Sequence, residues 1–173
     1  MAVRIMVLVL LIALSGTYGL LGARRLDLRV EELRELRLAM KLLQEQIHYL
    51  HTPMPEALQL CAGRCRPPVQ VLFRHSALVL RQRQGIELNE AWLEASERLA
   101  AASNLKAEDI GILKQMSGRM GTTGITEQVR LFEWLEGELR RQEEAAETER
   151  ASNRRLWSYG GFIVGAVLAL LIL

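Results

Sequence analysis

Charge is confined to the middle of this chain. Of its 42 Lys, Arg, Asp and Glu residues only Arg4 lies outside residues 24–155, which leaves uncharged segments of 19 residues at 5–23 and 18 residues at 156–173. A helix that crosses the hydrocarbon of a bilayer needs about 20 apolar residues, each adding about 1.5 Å. Both segments meet that length, so the pattern predicts a polar domain of about 130 residues, 24–155, held to a membrane by one transmembrane helix at each end.

The flanks orient the domain. Arg24, Arg25 and Arg29 follow the first segment; Arg150, Arg154 and Arg155 precede the second, with Trp157 beside them. The outer ends carry only Arg4 and the amino terminus. Basic side chains near the ends of spans favour the cytoplasmic side, so the domain is expected in the cytoplasm and both termini across the membrane. A cleaved leader is the competing reading, with Ala13-Leu14-Ser15 as a weak cleavage box. The apolar run continues past it through Leu20-Leu21-Gly22-Ala23 to Arg24-Arg25, which favours a retained span.

Composition narrows the function. Residues 24–155 carry 21 basic against 20 acidic side chains, and the whole chain has a formal charge of +2. That is no basic field of the kind that draws nucleic acid. Aromatic residues make up 5%, too few for a base-stacking platform.

Between the spans the pattern is helical throughout, and no strand-period segment competes. Leu33, Leu36, Met40, Leu43, Ile47 and Leu50 step by three and four, the spacing of one helix face. Fewer than three heptads is short for a dimeric coiled coil, which favours a helix of an intramolecular bundle. Thr52 suits an N-cap before Pro53 and Pro55, and the short helix that follows ends near Gly63. Pro67-Pro68 opens another helix, running to Gln84 before Gly85, with Val71, Leu72, Ala77, Leu78 and Leu80 on one face. A fourth helix covers residues 89–102 around Trp92, Leu93 and Leu99, and a fifth residues 106–120 with Ile110, Leu113 and Met116 inward. The last begins near Thr126, packs Leu131, Phe132, Leu135 and Leu139, and becomes charged and alanine-rich at residues 140–155. That stretch is expected to project as a solvated stalk into the second span. The fold class is all-α: a bundle of about six helices flanked by two transmembrane helices.

No constellation indicates an enzyme. The glycine-rich Gly118–Gly124 stretch lacks the strand, Lys and Ser/Thr of a phosphate loop and reads as a helix–helix turn. Cys61 and Cys65 have a permitted zinc spacing, but no regular second pair of ligands completes them; they read as reduced thiols, so neither metal nor cofactor is expected. His48, His51 and His75 are the histidines that could join the two thiols, but His48 and His51 fall near a helix end, where imidazolium favours exposed carbonyls. Ser15 with Gly19, and Gly161 with Gly165, have the small-xxx-small spacing that permits close packing, between the two spans or between copies of the chain.

Layout and residues together resemble the stage III sporulation protein AB family of endospore-forming bacteria, over essentially the whole length. The resemblance rests on Leu33-Arg34-Glu35-Leu36-Arg37, Leu43 with Ile47, Glu90-Ala91-Trp92, and Glu108-Asp109-Ile110 with Leu113. It rests also on Gly121 with Gln128, on Asn153-Arg154-Arg155-Leu156-Trp157, and most specifically on Thr52-Pro53-Met54-Pro55-Glu56-Ala57-Leu58. One turn departs from the family pattern, with Met120 for Leu and Gly124 for Asp. The family is similar to the cytoplasmic domains of the F-type platform protein of type II secretion. The resemblance therefore implies a non-enzymatic platform in the channel between mother cell and forespore, on the mother-cell side of the outer forespore membrane. It implies the companion ATPase, stage III sporulation protein AA, and other channel components as partners. The exposed charges of the first helix (Arg34, Arg37, Lys41) and of the stalk (Arg140, Arg141) are the candidate partner surface. A regulatory membrane protein whose helical domain binds a soluble factor is the alternative.

Overall fold

The helical periodicity is realised in six elements: α1 (Ala2–His48), α2 (Met54–Arg64), α3 (Gln70–Gln82), α4 (Leu88–Ala102), α5 (Ala107–Ser117) and α6 (Ile125–Ile172). The computed structural model describes the backbone at residues 2–82, 85–119 and 125–172, and side chains at 21–82, 85–119 and 127–153. Among the described residues there is no strand. Two compact units divide the chain: Met1–Val30 with Ala145–Leu173, and Glu31–Glu144.

The unit Glu31–Glu144 holds the apolar core. Leu33, Leu36, Met40 and Leu43 of α1 are buried within the chain, as a bundle helix requires; Leu50 lies beyond the end of α1 and is 64% exposed. Trp92 anchors the centre. Its ring stands edge-on to Phe73 of α3 at 6.0 Å between centroids, and its indole N–H donates to the Leu113 carbonyl of α5 at 3.0 Å. An edge-to-face pair adds about 1 kcal/mol to the area that two buried rings remove from water. Leu99, Met116, Leu135 and Leu139 are also fully buried. The buried hydroxyls of Ser76 and Ser96 donate to the carbonyls of Leu72 and Trp92 one turn back, so neither loses a partner.

The starts of α2 and α3 differ from expectation. Pro53, not Thr52, precedes α2, and the Thr52 hydroxyl instead reaches Gln46 Oε1 at 3.2 Å, closing the end of α1. Pro67-Pro68 occupies a turn, and α3 begins at Gln70. Its inner face is Leu72, Phe73, Ser76, Ala77 and Val79, so Leu78 points outward at 44% exposure, and Leu93 of α4 at 37%. The periodicity counted these two leucines as core because they adjoin core positions in sequence; one residue is a 100° step around a helix. Gly85 has a left-handed φ of 85°, the conformation that glycine adopts without steric cost.

The unit Met1–Val30 with Ala145–Leu173 contains the buried residues Ala23, Arg29, Val30 and Ala146. Ala146, 2% exposed, corrects the expectation of a stalk solvated on every side, as does Glu143, 7% exposed, in the other unit. Alanine permits close helix approach, and the faces concerned are covered. Among the described residues no helix is long and apolar enough to cross a membrane. Residues 5–20 and 156–173 lie outside those whose side chains are described.

A candidate functional site on the charged seam of the first and last helices

Arg34 and Arg37 lie one turn apart on α1, a spacing that presents both to one point on a neighbouring helix. That point is Glu143 of α6. Its Oε1 accepts from Arg34 Nε–H at 2.8 Å and its Oε2 from Arg37 Nε–H at 2.9 Å. The Glu143 side chain is 9% exposed, that of Arg37 26% and that of Arg34 50%. Burial pushes the Glu143 carboxyl up, but the two guanidinium hydrogen bonds and charges outweigh it and hold the group below the usual carboxylate range. Further along, the His48 ring meets Phe132 edge-on at 5.9 Å. Later residues of α1 meet earlier residues of α6, so the two run antiparallel in this unit.

The smaller unit repeats the arrangement. Arg29 is 4% exposed and donates through Nη1 to Glu149 Oε2 at 2.8 Å, while Arg150 Nε lies 3.9 Å from Asp27 Oδ1. Here too α1 advances as α6 recedes. Ion pairs of this kind fix register, because a slip of one turn strands a charge away from water.

The candidate partner residues therefore divide. Arg34 and Arg37 are committed to Glu143. Lys41 is exposed. Arg140 pairs with Glu144 at 3.4 Å and Arg141 with Glu138, both within exposed turns of α6. Arg24 and Arg25 are exposed at the flank. Arg154, Arg155 and Trp157, and the packing residues Ser15, Gly19, Gly161 and Gly165, lie outside the residues whose side chains are described, and so does the cleavage box Ala13-Leu14-Ser15. The glycine-rich turn lies outside the described residues from Met120 to Gly124.

Glu143 and Glu149 were not among the expected residues. The signal for Glu143 is in the sequence: the inward series Leu135, Leu139 continues by steps of four and three to Glu143 and Ala146.

Cys61 and Cys65 are buried, and their thiols are pushed up to about 12, by burial first and then by Cys65 beside Cys61 and Glu35 beside Cys65. Both stay protonated at neutral pH and are poor nucleophiles and ligands. The Cys61 thiol faces the Ala39 carbonyl at 3.9 Å. Among the described residues no three His, Cys, Asp or Glu side chains are grouped to hold a metal ion. The seam positions helices, and its chemistry is that of a fastening.

Comparison with known proteins agrees on one group. The family described as stage III sporulation protein AB matches residues 4–173. The stage III sporulation protein AB of Bacillus subtilis (strain 168) is 29% identical over 146 residues, covering 84% of each chain. A solved structure of a stage III sporulation protein AB superposes with a TM-score of 0.68 at 26% identity, covering 72% of this chain and 98% of the other.

Proposed function

The chain belongs to the stage III sporulation protein AB family, and on that premise we propose that it is a membrane scaffold of the channel between mother cell and forespore. In this reading residues 5–23 and 156–173 span the membrane, and the helical domain faces the mother-cell cytoplasm. There it docks a secretion-type ATPase, the companion stage III sporulation protein AA, without catalytic chemistry of its own.

The observation that carries the reading is the antiparallel pairing of α1 and α6 next to both apolar segments. Arg29 with Glu149, and Asp27 with Arg150, hold the inner ends of the two segments side by side. Two spans that start side by side leave the membrane on the same face, as the basic flanks Arg24, Arg25, Arg154 and Arg155 require. A buried guanidinium paired across the two helices also makes them move together, which suits a part that passes force from an ATPase to a membrane assembly.

The test is association. The full chain in lipid nanodiscs is mixed with the companion ATPase without nucleotide, with ADP and with a non-hydrolysable ATP analogue, then crosslinked. Complex formation in at least one state is expected. Absence of complex in all three contradicts docking.

A further inference from the structure

Residues 57–86 contain five arginines, no lysine and no acidic residue, in a chain whose charges otherwise nearly balance. Part of this excess forms a stripe on α3. Arg74, Leu78 and Arg81 are spaced i, i+4, i+7, which puts them on one face, and all three are exposed. Neither arginine makes an ion pair among the described residues. The next helix carries the opposite pattern: Glu90, Glu94 and Glu97 of α4 have the same spacing, and Glu87 precedes them.

The two stripes are neighbours. The His75 Nε2 to Glu94 Oε1 contact of 2.9 Å marks the outer seam between α3 and α4, and the Phe73–Trp92 contact lies beneath it. α3 ends at Gln82 and α4 begins at Leu88, and so short a connection makes the two packed helices antiparallel, with Arg74 near the level of the Glu94 turn and Arg81 near the start of α4. The acidic stripe keeps its sign despite local pairing. Glu94 also meets Arg98 at 3.4 Å and Glu97 meets Lys114 at 3.2 Å, while Glu87 and Glu90 are exposed.

We propose that this face is the contact between two copies of the chain. A two-fold axis running between α3 and α4, parallel to both, lays the basic stripe of each copy over the acidic stripe of the other. Arg74 then faces the Glu90 to Glu97 turns of the partner copy, Arg81 faces the Glu87 to Glu90 turn, and Leu78 lies inside the contact. Such an interface is isologous: one patch satisfies itself twice. An all-arginine stripe fits the role, because the planar guanidinium binds carboxylates in bidentate fashion. The adjacent glutamates disfavour a phosphate backbone, and two exposed leucines, Leu78 and Leu93, without aromatics are too little to insert into a bilayer. The inference stands apart from the docking of an ATPase.

The test is a charge exchange on the full chain in detergent micelles, with mass followed by light scattering over a concentration series. The wild type is expected to dimerise, more weakly as salt rises. Arg74→Glu with Arg81→Glu, and separately Glu90→Arg with Glu97→Arg, each set like charge against like. Each is expected to lower the association constant at least tenfold. Mixing the two variants restores opposite charges at both halves of the contact, so a heterodimer of near wild-type affinity is expected; its formation also shows that both variants are folded. A wild type that is monomeric at every concentration overturns the proposal and leaves the stripes to a different protein. Variants that dimerise as the wild type does, or a mixture that does not associate, overturn it as well.

Discussion

Replacing Glu143 by Gln keeps the shape of the side chain and removes its charge. The amide retains one acceptor for the two guanidinium groups and turns an N–H toward the other. Breaking a fully buried ion pair from one side costs about 3–5 kcal/mol. Arg34 is half exposed and Arg37 a quarter exposed, so both can be hydrated in part, which lowers the expected cost to about 2 kcal/mol. For a chain of this size that is a fall of about 4–8 °C in Tm. The control is Glu144→Gln, one residue on, where the carboxylate is 63% exposed and pairs with the exposed Arg140. An exposed pair of this kind is worth about 0.3–0.5 kcal/mol, a shift of about 1–2 °C. The assay is thermal unfolding of the full chain in nanodiscs, followed by tryptophan fluorescence. Acid supplies the second dimension. The folded carboxyl titrates below its ordinary value of 4.5, so its contribution is full above that value and is lost as pH falls through the lowered one. The gap between wild type and Glu143→Gln is therefore constant from pH 7 to about 5, begins to shrink as pH falls through 4.5 and closes below the lowered value. Equal shifts for the two variants at pH 7, or a gap that does not close in acid, refute the assignment of Glu143 as the buried fastening.

Three further outcomes follow from the packing. Trp92→Phe keeps most of the ring but removes the donor to the Leu113 carbonyl; a loss of about 1–2 kcal/mol is expected in denaturant unfolding. Arg29→Met leaves Glu149 without its buried partner, and hydrogen exchange of the α1 amides between residues 23 and 30 is expected to accelerate more than tenfold, while those of α4 do not change. Cys61 and Cys65, with thiols near 12, are expected to react with a maleimide at pH 7.5 only after denaturation; rapid labelling of the native chain would contradict their burial.

The helices and most of the core are legible in the residues, for one reason: the inward positions are large, apolar and regularly spaced. Leu33, Leu36, Met40 and Leu43, and likewise Ile110, Leu113 and Met116, lie inward as their periodicity requires. Leu78 and Leu93 mislead because an apolar run locates a helix without fixing which side of it is covered. The seam is less legible. Arg34 and Arg37 stand out as a basic pair, but exposed charges on a helix usually do nothing more than solvate it. What commits them is a glutamate more than a hundred residues away, a pairing that no local pattern encodes. The alanine-rich stretch at 140–155 reads as solvent-facing on composition alone. It becomes a packing surface once Ala146 and Glu143 are seen to continue the spacing of Leu135 and Leu139.

The arrangement of the two ends relative to the membrane bears on everything proposed for the chain. Cysteine accessibility in intact vegetative cells that express the chain in the plasma membrane measures it, since there the far side of the membrane faces the medium and the native thiols of Cys61 and Cys65 are buried and contribute little background. One variant carries an added cysteine after Leu173, a second one before Ile5, and a third Lys41→Cys in the exposed part of α1. The account predicts that a membrane-impermeant maleimide labels the first two in whole cells and the third only after permeabilisation. Labelling of Lys41→Cys in whole cells, or protection of either terminus, contradicts it.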